Sequence, residues 1–216
     1  MSNYYPVHLD IADRKCVVVG GGQIAERKAL SLLECGARVT IVSPQLTPGL
    51  QRLVEQEQVA AIRREYRETD LAGSFLVIAA TDDVQVNRAV ALDAERNNLL
   101  VNVVDDPAHC NFIVPSVVRR GDLVVAVSTG GQSPALARKL RSQLERILAP
   151  EYGPLLTLIT EVRDELKRDG RRSDPEAWQE ALDEDLIELI RRGMVDQARE
   201  RIVTALNNRS EASGSS

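Results

Sequence analysis

A β-branched apolar run, Cys16-Val17-Val18-Val19, breaks into Gly20-Gly21-Gly22 and resumes at once as a helix-forming segment, Gln23-Ile24-Ala25-Glu26-Arg27-Lys28. Strand, glycine turn and helix in that order are the opening of a βαβ unit, so the chain is committed early to an α/β sheet. The pattern Gly20-x-Gly22-x-x-Ala25 carries a further meaning. A glycine at 20 permits a tight exit from the strand, one at 22 lets backbone approach a pyrophosphate, and the small Ala25 lets helix and sheet pack closely. Free N–H groups at the helix start, with the positive end of its dipole, then face the anion. The same letters also occur as a plain glycine turn that binds nothing. What weighs toward a dinucleotide is their place behind a valine strand near the N-terminus.

The rest of the first half repeats the unit. The helix opened at Gln23 is expected to run to about residue 35, with Ile24, Ala25, Ala29, Leu32 and Leu33 on one side and Gly36 at its exit. Residues 38–43 read as a second strand and 59–63 as a short third one. Between them Thr47-Pro48 reads as N-cap and first residue of a helix ending near 58. The uninterrupted apolar run Phe75-Leu76-Val77-Ile78-Ala79-Ala80 predicts a strand buried on both faces, at the centre of the sheet. Thr81-Asp82-Asp83 caps a helix to about 97, residues 99–104 form the next strand, and residues 5–10 are expected to add a short edge strand. Strands alternating with helices at this spacing predict a parallel, doubly wound sheet.

After Pro107 the character changes. Two apolar runs, 112–118 and 123–128, are joined by Arg119-Arg120-Gly121-Asp122 as in a hairpin, and Ser133-Pro134 opens a helix to about 148. From 151 the pattern is helical, with breaks at 170–174 and near Gly193. Residues 209–216, rich in Ser, are expected to be a disordered tail.

Composition excludes several classes. Only seven of the 216 side chains are aromatic, too few to stack bases along a single strand of nucleic acid. Residues 1–150 carry 17 acidic and 17 basic side chains and residues 151–216 carry 15 and 10, so the net charge of −5 lies in the last third. No segment approaches the roughly 18 apolar residues of a membrane span, and Met1-Ser2-Asn3-Tyr4-Tyr5 lacks the basic flank and apolar core of a signal peptide. A cytoplasmic protein is expected. Cys16, Cys35 and Cys110 include no CxxC, so neither a disulfide framework nor a zinc ribbon is indicated. Cys16 and Cys35 read as small core residues.

Ligands of an open α/β sheet sit outside the carboxyl ends of its strands. Gly20, Gly21, Gly22, Gln23 and Ile24, with Ser43, Pro44, Thr81 and Asp82, are therefore the candidate cofactor contacts. A ribose-binding acid is usual at the end of the second strand, where this chain has Ser43, with no Arg immediately after it to hold a 2′-phosphate. The residues alone leave NAD and NADP open. Asp105 ends a buried strand at the crevice, where a low dielectric would raise its pKa and suit it to proton transfer. It reads equally as a turn residue of Asp-Asp-Pro, and Thr81 and Asp82 read as well as helix caps. His109 and Cys110 do not reproduce a metal-ligand spacing; His109 reads as a loop histidine with no ligand role, and His8 as structural. Ser128-Thr129-Gly130-Gly131-Gln132-Ser133-Pro134 sets hydroxyls and glycines at a helix N-terminus, with Arg138, Lys139 and Arg141 following. That is either a capped helix with a solvated basic face or a site for a polycarboxylate.

Five segments in order resemble the precorrin-2 dehydrogenase family. They are residues 17–28, Ala79-Ala80-Thr81-Asp82-Asp83 with Asn87, Asn102-Val103-Val104-Asp105, Phe112-Ile113-Val114-Pro115-Ser116, and Ala126-Val127-Ser128-Thr129-Gly130-Gly131-Gln132-Ser133-Pro134. The family includes the bifunctional dehydrogenase/ferrochelatase of siroheme synthesis and the front module of multifunctional siroheme synthase. The likeness covers about residues 4–150, and residues 151–208 are only generically similar. It implies NAD⁺-dependent oxidation of precorrin-2 to sirohydrochlorin, toward siroheme or cobalamin, with Fe²⁺ insertion a second activity of some relatives.

The resemblance also implies a Rossmann-like parallel sheet over 1–111, a small α+β dimerisation region over 112–149, a C-terminal helical domain over 150–208, and a homodimer. It makes Asp105 the catalytic carboxylate. It gives Ser128, Thr129, Gly130, Gly131, Ser133, Arg138 and Lys139, with Arg119, Arg120 and Arg141 nearby, the eight carboxylates of the macrocycle to hold. Ser43 in place of an acid is usual for this family, so NAD is the implied cofactor. No stretch resembles the family's methyltransferase module, so the chain is expected to use precorrin-2 rather than make it. The competing reading is a non-catalytic dinucleotide sensor. A short-chain dehydrogenase is disfavoured because none of Tyr4, Tyr5, Tyr66 and Tyr152 has a Lys four residues later.

Overall fold

The structure, a computed structural model, describes residues 4–171 and 175–213, with side chains up to residue 207. The chain divides into two compact units, one of residues up to 114 with 130–132, the other of 115–129 with residues from 133 onward.

In the first unit, strands β1 (Lys15–Val19), β2 (Arg38–Val42), β3 (Val59–Ile62), β4 (Leu76–Ala79) and β5 (Leu100–Val103) form one sheet. Its order is β3-β2-β1-β4-β5 with every pair parallel. Helices α1 (Gln23–Leu33), α2 (Pro48–Glu55) and α3 (Val84–Arg96) connect the strands. The doubly wound sheet expected from the alternation is thus present, and its order reverses between β1 and β4, where such folds bind ligands. The period-2 geometry of β1 explains its unbroken apolar run. Cys16 and Val18 pack with Ala25, Ala29 and Leu32 of α1 on one face, while Val17 and Val19 pack with Val90, Ala91 and Ala94 of α3 on the other. The centre of the sheet is β1 and not β4, which lies between β1 and β5.

Two further expectations are corrected. Residues 5–10 form no strand: the sheet edges are β3 and β5, and Tyr5, Val7 and Leu9 are exposed. Alternating apolar residues there carried the signal, but strand formation needs a partner edge as well as propensity. Cys16 is fully buried, whereas Cys35 is exposed, because α1 ends at Leu33 and the chain leaves through Gly36 at φ +75°.

In the second unit, β6 (Ser116–Arg120) and β7 (Leu123–Val127) pair antiparallel across Gly121-Asp122. The first strand starts at Ser116 and not at Phe112, and Arg119 and Arg120 belong to it. Helix α4 (Pro134–Ile147) is capped by the Ser133 hydroxyl, which accepts from the Leu136 N–H, and has Pro134 at its first position. Helices α5 (Tyr152–Arg168), α6 (Pro175–Ala181), α7 (Glu184–Arg191) and α8 (Val195–Ser213) enclose a separate core of Leu155, Leu158, Val162, Leu186, Ile190, Ala198 and Ile202. A break at Leu182-Asp183 was not anticipated; Asp183 caps α7 by accepting from the Leu186 N–H. The expected break at 170–174 falls partly on 172–174, outside the described residues. Helix α8 continues to Ser213, into the segment expected to be a tail, and residues 214–216 lie outside the described residues. Among the described residues no helix is long and apolar enough to cross a membrane.

Candidate functional site

The carboxyl ends of β1, β2 and β4 open into a crevice of about 850 Å³, within the range of small-molecule and cofactor sites. Its lining includes every residue expected to contact a cofactor: Gly20, Gly21, Gly22, Gln23, Ile24, Ser43, Pro44, Thr81 and Asp82.

The three glycines do different work. Gly20 leaves β1 at φ +126°, and a Cβ there would lie 2.3 Å from the Ala80 carbonyl oxygen, so a side chain is barred by both conformation and space. A Cβ on Gly21 would lie 1.8 Å from the Gln45 carbonyl oxygen and 2.7 Å from the Ser43 Oγ. That glycine admits the β2–α2 loop, whose Thr47 N–H donates to the Gly21 carbonyl at 3.0 Å. Around Gly22 nothing lies within 4 Å of the Cβ position. Gly22 is also the N-cap of α1 and offers no side-chain cap, so the first N–H groups of the helix have no side-chain partner there. This is the geometry that accepts a pyrophosphate.

Side-chain hydroxyls around the crevice are committed to its walls. The Ser43 Oγ donates to the Gln45 carbonyl at 2.8 Å, and the Thr47 Oγ1 donates to the Glu26 carboxylate while accepting from the Leu50 N–H. Thr81 is braced by Asn87, whose Oδ1 accepts from the Thr81 N–H and Oγ1 and whose Nδ2 donates to the Thr81 carbonyl at 2.9 Å. The cap of α3 is Asp83, accepting from Gln85 and Val86, so Thr81 and Asp82 are not the caps. The crevice is also lined by Gln45, Leu46, Thr47, Glu65, Tyr66 and Val86, which sequence reasoning did not select. The available signal for Glu65 and Tyr66 was their place just beyond the carboxyl end of β3.

The loop carrying those two residues is tied down from both sides. Arg64 donates through both terminal nitrogens to the carboxylate of Asp70 (2.8 and 2.6 Å), which also accepts from the Arg67 N–H. These bonds, led by Arg64, hold the Asp70 carboxyl below the usual range. The Tyr66 hydroxyl donates to Asp93 at 2.9 Å; burial first, then this bond, pushes the phenol above its ordinary value.

Asp105 follows β5 at φ +59°, a left-handed conformation that Asp tolerates. It is exposed and is not part of the crevice lining, which overturns the expected low-dielectric setting. The chain turns there, with the Asp106 N–H returning to the Val103 carbonyl. Lys28 of α1 feels its charge: burial and then Arg27 lower the ammonium's affinity for its proton, and Asp105 and Cys110 oppose them. His109 Nδ1 lies 2.7 Å from Asp106 Oδ2. The Cys110 Sγ takes up the Val103 N–H and lies within reach of the Val103 and Asp106 carbonyls, and burial raises its thiol pKa. Among the described residues no three His, Cys, Asp or Glu side chains gather as a metal site requires.

In the second unit the Thr129 Oγ1 accepts from the Ser133 N–H. Gly130 and Gly131, which group with the first unit, adopt positive φ, and nothing lies within 4 Å of either Cβ position. Arg138 and Lys139 are exposed on α4. Arg120 and Arg141 are engaged: Arg120 donates to the Glu145 and Leu148 carbonyls at the end of α4, and Arg141 pairs with Glu145.

Comparison with known proteins follows this division. A family model described as putative NAD(P)-binding matches residues 7–116, and one described as sirohaem biosynthesis protein central matches residues 120–147. Siroheme synthases of Methylobacillus flagellatus and Nitrosospira multiformis are 40% and 43% identical over 95% and 97% of this chain, and the matches cover 44% and 46% of their own lengths. The chain thus spans less than half the length of these relatives. The solved structure of SirC, precorrin-2 dehydrogenase, superimposes with a TM-score of 0.75 at 27% identity, over 95% of this chain and 100% of that one. With the first model spanning just over half of its residues, the chain belongs to this putative NAD(P)-binding family, here joined to a sirohaem-biosynthesis central segment.

Proposed function

We propose that the chain is an NAD-dependent dehydrogenase that oxidises precorrin-2 to sirohydrochlorin. The observation that carries the reading is the uncapped start of α1 above Gly22, at the sheet's switch point, in a chain 95% of which superimposes on a precorrin-2 dehydrogenase. The crevice suits NAD: free N–H groups receive the pyrophosphate, and the bound nicotinamide supplies the hydride acceptor.

The chain's own residues do the rest. Gly20, Gly21, Gly22, Gln23 and Ile24 hold the phosphates, while Ser43, Pro44, Thr81 and Asp82 shape the walls against the nucleosides. Asp105 takes a proton from the macrocycle as a second hydrogen leaves with its electron pair as hydride. Its exposure suits it to a large substrate, since binding the macrocycle would itself exclude water from the carboxylate. Arg138 and Lys139 have no ion-pair partner among the described residues, and they meet the substrate's carboxylates together with Ser128, Thr129, Gly130, Gly131 and Ser133. Residues 112–149 mediate a homodimer, supported by the exposed Val117, Leu136, Leu140 and Ile147.

Anaerobic incubation with precorrin-2 and NAD⁺, followed by absorption, tests the reading, and Fe²⁺ added afterwards tests for chelation. Sirohydrochlorin should form only with NAD⁺, and Asp105→Ala should lower turnover at least about a hundredfold while NAD⁺ binding persists. Sedimentation of the same preparation reads the dimer. NAD⁺ binding with no turnover of the tetrapyrrole would replace the enzyme with a dinucleotide sensor.

A further inference from the structure

A dinucleotide site of this topology ordinarily carries an acid at the end of β2, where it binds the adenosine ribose and repels a 2′-phosphate. Here that place is held by Ser43, nearly buried, with its hydroxyl spent on the Gln45 carbonyl. The adjacent parallel strand supplies a carboxylate instead. Val42 is in register with Ile62, the Ser43 N–H donates to the Ile62 carbonyl at 3.1 Å, and the Arg64 N–H turns back to the same oxygen at 3.0 Å. Three residues past the end of β3, Glu65 lines the same crevice as Ser43.

Its position is built. Both neighbours are fastened to buried carboxylates, Arg64 to Asp70, 6% exposed, and Tyr66 to Asp93, 7% exposed. The Arg64 guanidinium also donates to the Glu65 carbonyl. No ion pair engages the Glu65 carboxylate among the described residues, and the crevice lining contains no Lys or Arg that would welcome an extra phosphate. Arg64 is consumed by Asp70, and Arg63 and Arg67 are outside the lining. We infer that Glu65 replaces the missing β2 acid, so that its carboxylate, in the crevice it shares with Ser43, makes the crevice select NAD over its 2′-phosphorylated form.

The inference rests on the reading of the crevice as a dinucleotide site, and the test separates the two. Binding of NAD⁺ and NADP⁺ to the full chain is measured calorimetrically for the wild type, Glu65→Gln and Glu65→Lys. Glu55→Gln, exposed on α2, controls for net charge. A 2′-phosphate adds nearly two negative charges. Their proximity to one carboxylate should make wild-type discrimination against NADP⁺ at least about tenfold stronger than that of Glu65→Gln, and Glu65→Lys should narrow the ratio further. Glu55→Gln should leave the ratio within about twofold at moderate salt. NAD⁺ binding with an unchanged ratio in both Glu65 variants overturns the role of Glu65 and leaves the site standing. Failure of the folded wild type to bind either dinucleotide overturns both.

Discussion

Gly21 and Gly22 are adjacent, both in the phosphate loop, and they should respond in opposite ways to the same added methyl group. Gly22 has φ −83° and ψ −175°, extended backbone open to any residue, and its Cβ would meet nothing. In Gly22→Ala the weaker N-cap and the stiffened unfolded chain nearly cancel, leaving stability within about 1 kcal/mol of wild type. The methyl would stand where a pyrophosphate must approach, so NAD⁺ affinity should fall at least about tenfold. In Gly21→Ala the Cβ would lie 1.8 Å from the Gln45 carbonyl oxygen, which cannot yield without moving the loop. The Thr47–Gly21 and Ser43–Gln45 hydrogen bonds are then strained or lost, at about 1 kcal/mol each. Overpacking adds about 1–3 kcal/mol. The sum, about 3–5 kcal/mol, corresponds to a melting temperature lower by about 6–20 °C for a chain of this size. Thermal melts with and without NAD⁺, followed by titration calorimetry, read both quantities. The reasoning fails if Gly22→Ala melts as low as Gly21→Ala, or if Gly22→Ala binds NAD⁺ as wild type does.

Two further perturbations address the walls and the core. Asp70→Asn should lower the melting temperature by about 5 °C or more near neutral pH, because charge-assisted bonds to Arg64 and the Arg67 N–H are weakened together. The folded-state carboxyl of Asp70 is held low, so its contribution is complete above the unfolded pKa near 4 and is lost as pH falls through the folded value. Melts of the two proteins should therefore differ by a constant amount between about pH 5 and 8 and converge below about pH 4; a gap that widens in acid would refute the assignment. Thiol labelling separates the cysteines. Burial pushes the Cys16 thiol up to about 11, so maleimide at neutral pH should modify exposed Cys35 in the native protein and reach Cys16 only after denaturation. Labelling of both at equal rates would contradict the fold around β1.

What was legible in the sequence depended on local chemistry. Gly20 followed from the turn, Thr47-Pro48 and Ser133-Pro134 from capping rules, and the two buried faces of β1 from an unbroken apolar run. What was not legible depended on long-range neighbours. Gly21 must lack a side chain because the 43–47 loop folds over it, a contact between segments more than twenty residues apart. Residues 5–10 have strand-like alternation but no edge to join, and Arg120, which the resemblance set near the macrocycle's carboxylates, closes the end of α4 instead. Asp105 was expected to end the fifth strand, but β5 stops two residues earlier at Val103, and the exposure of Asp105 was missed because burial of a strand says little about the turn that leaves it. Glu65 escaped notice for a related reason: the acid was sought on β2, and only strand order shows that the end of β3 reaches the same crevice.

The way its helix starts are closed explains how a crevice lined by Glu65, Asp82 and Asp83, with no Lys or Arg among its lining residues, can serve an anionic cofactor. Helices α2, α3, α4 and α7 are each closed by a side chain, from Thr47, Asp83, Ser133 and Asp183. Each such cap satisfies one or two of the N–H groups that a helix start leaves unpaired. Helix α1 alone of these five begins on a glycine with no cap. An Asp or Ser at position 22 would satisfy those donors internally and fill the space in front of them. Glycine therefore leaves α1 less well closed in the free protein, and it leaves the donors and the dipole available for phosphate. Glu65 in the lining follows from the same division of labour. Attraction for the pyrophosphate comes from backbone, so the crevice needs no basic side chain for it, and Glu65 is at liberty to repel a phosphate where none should be.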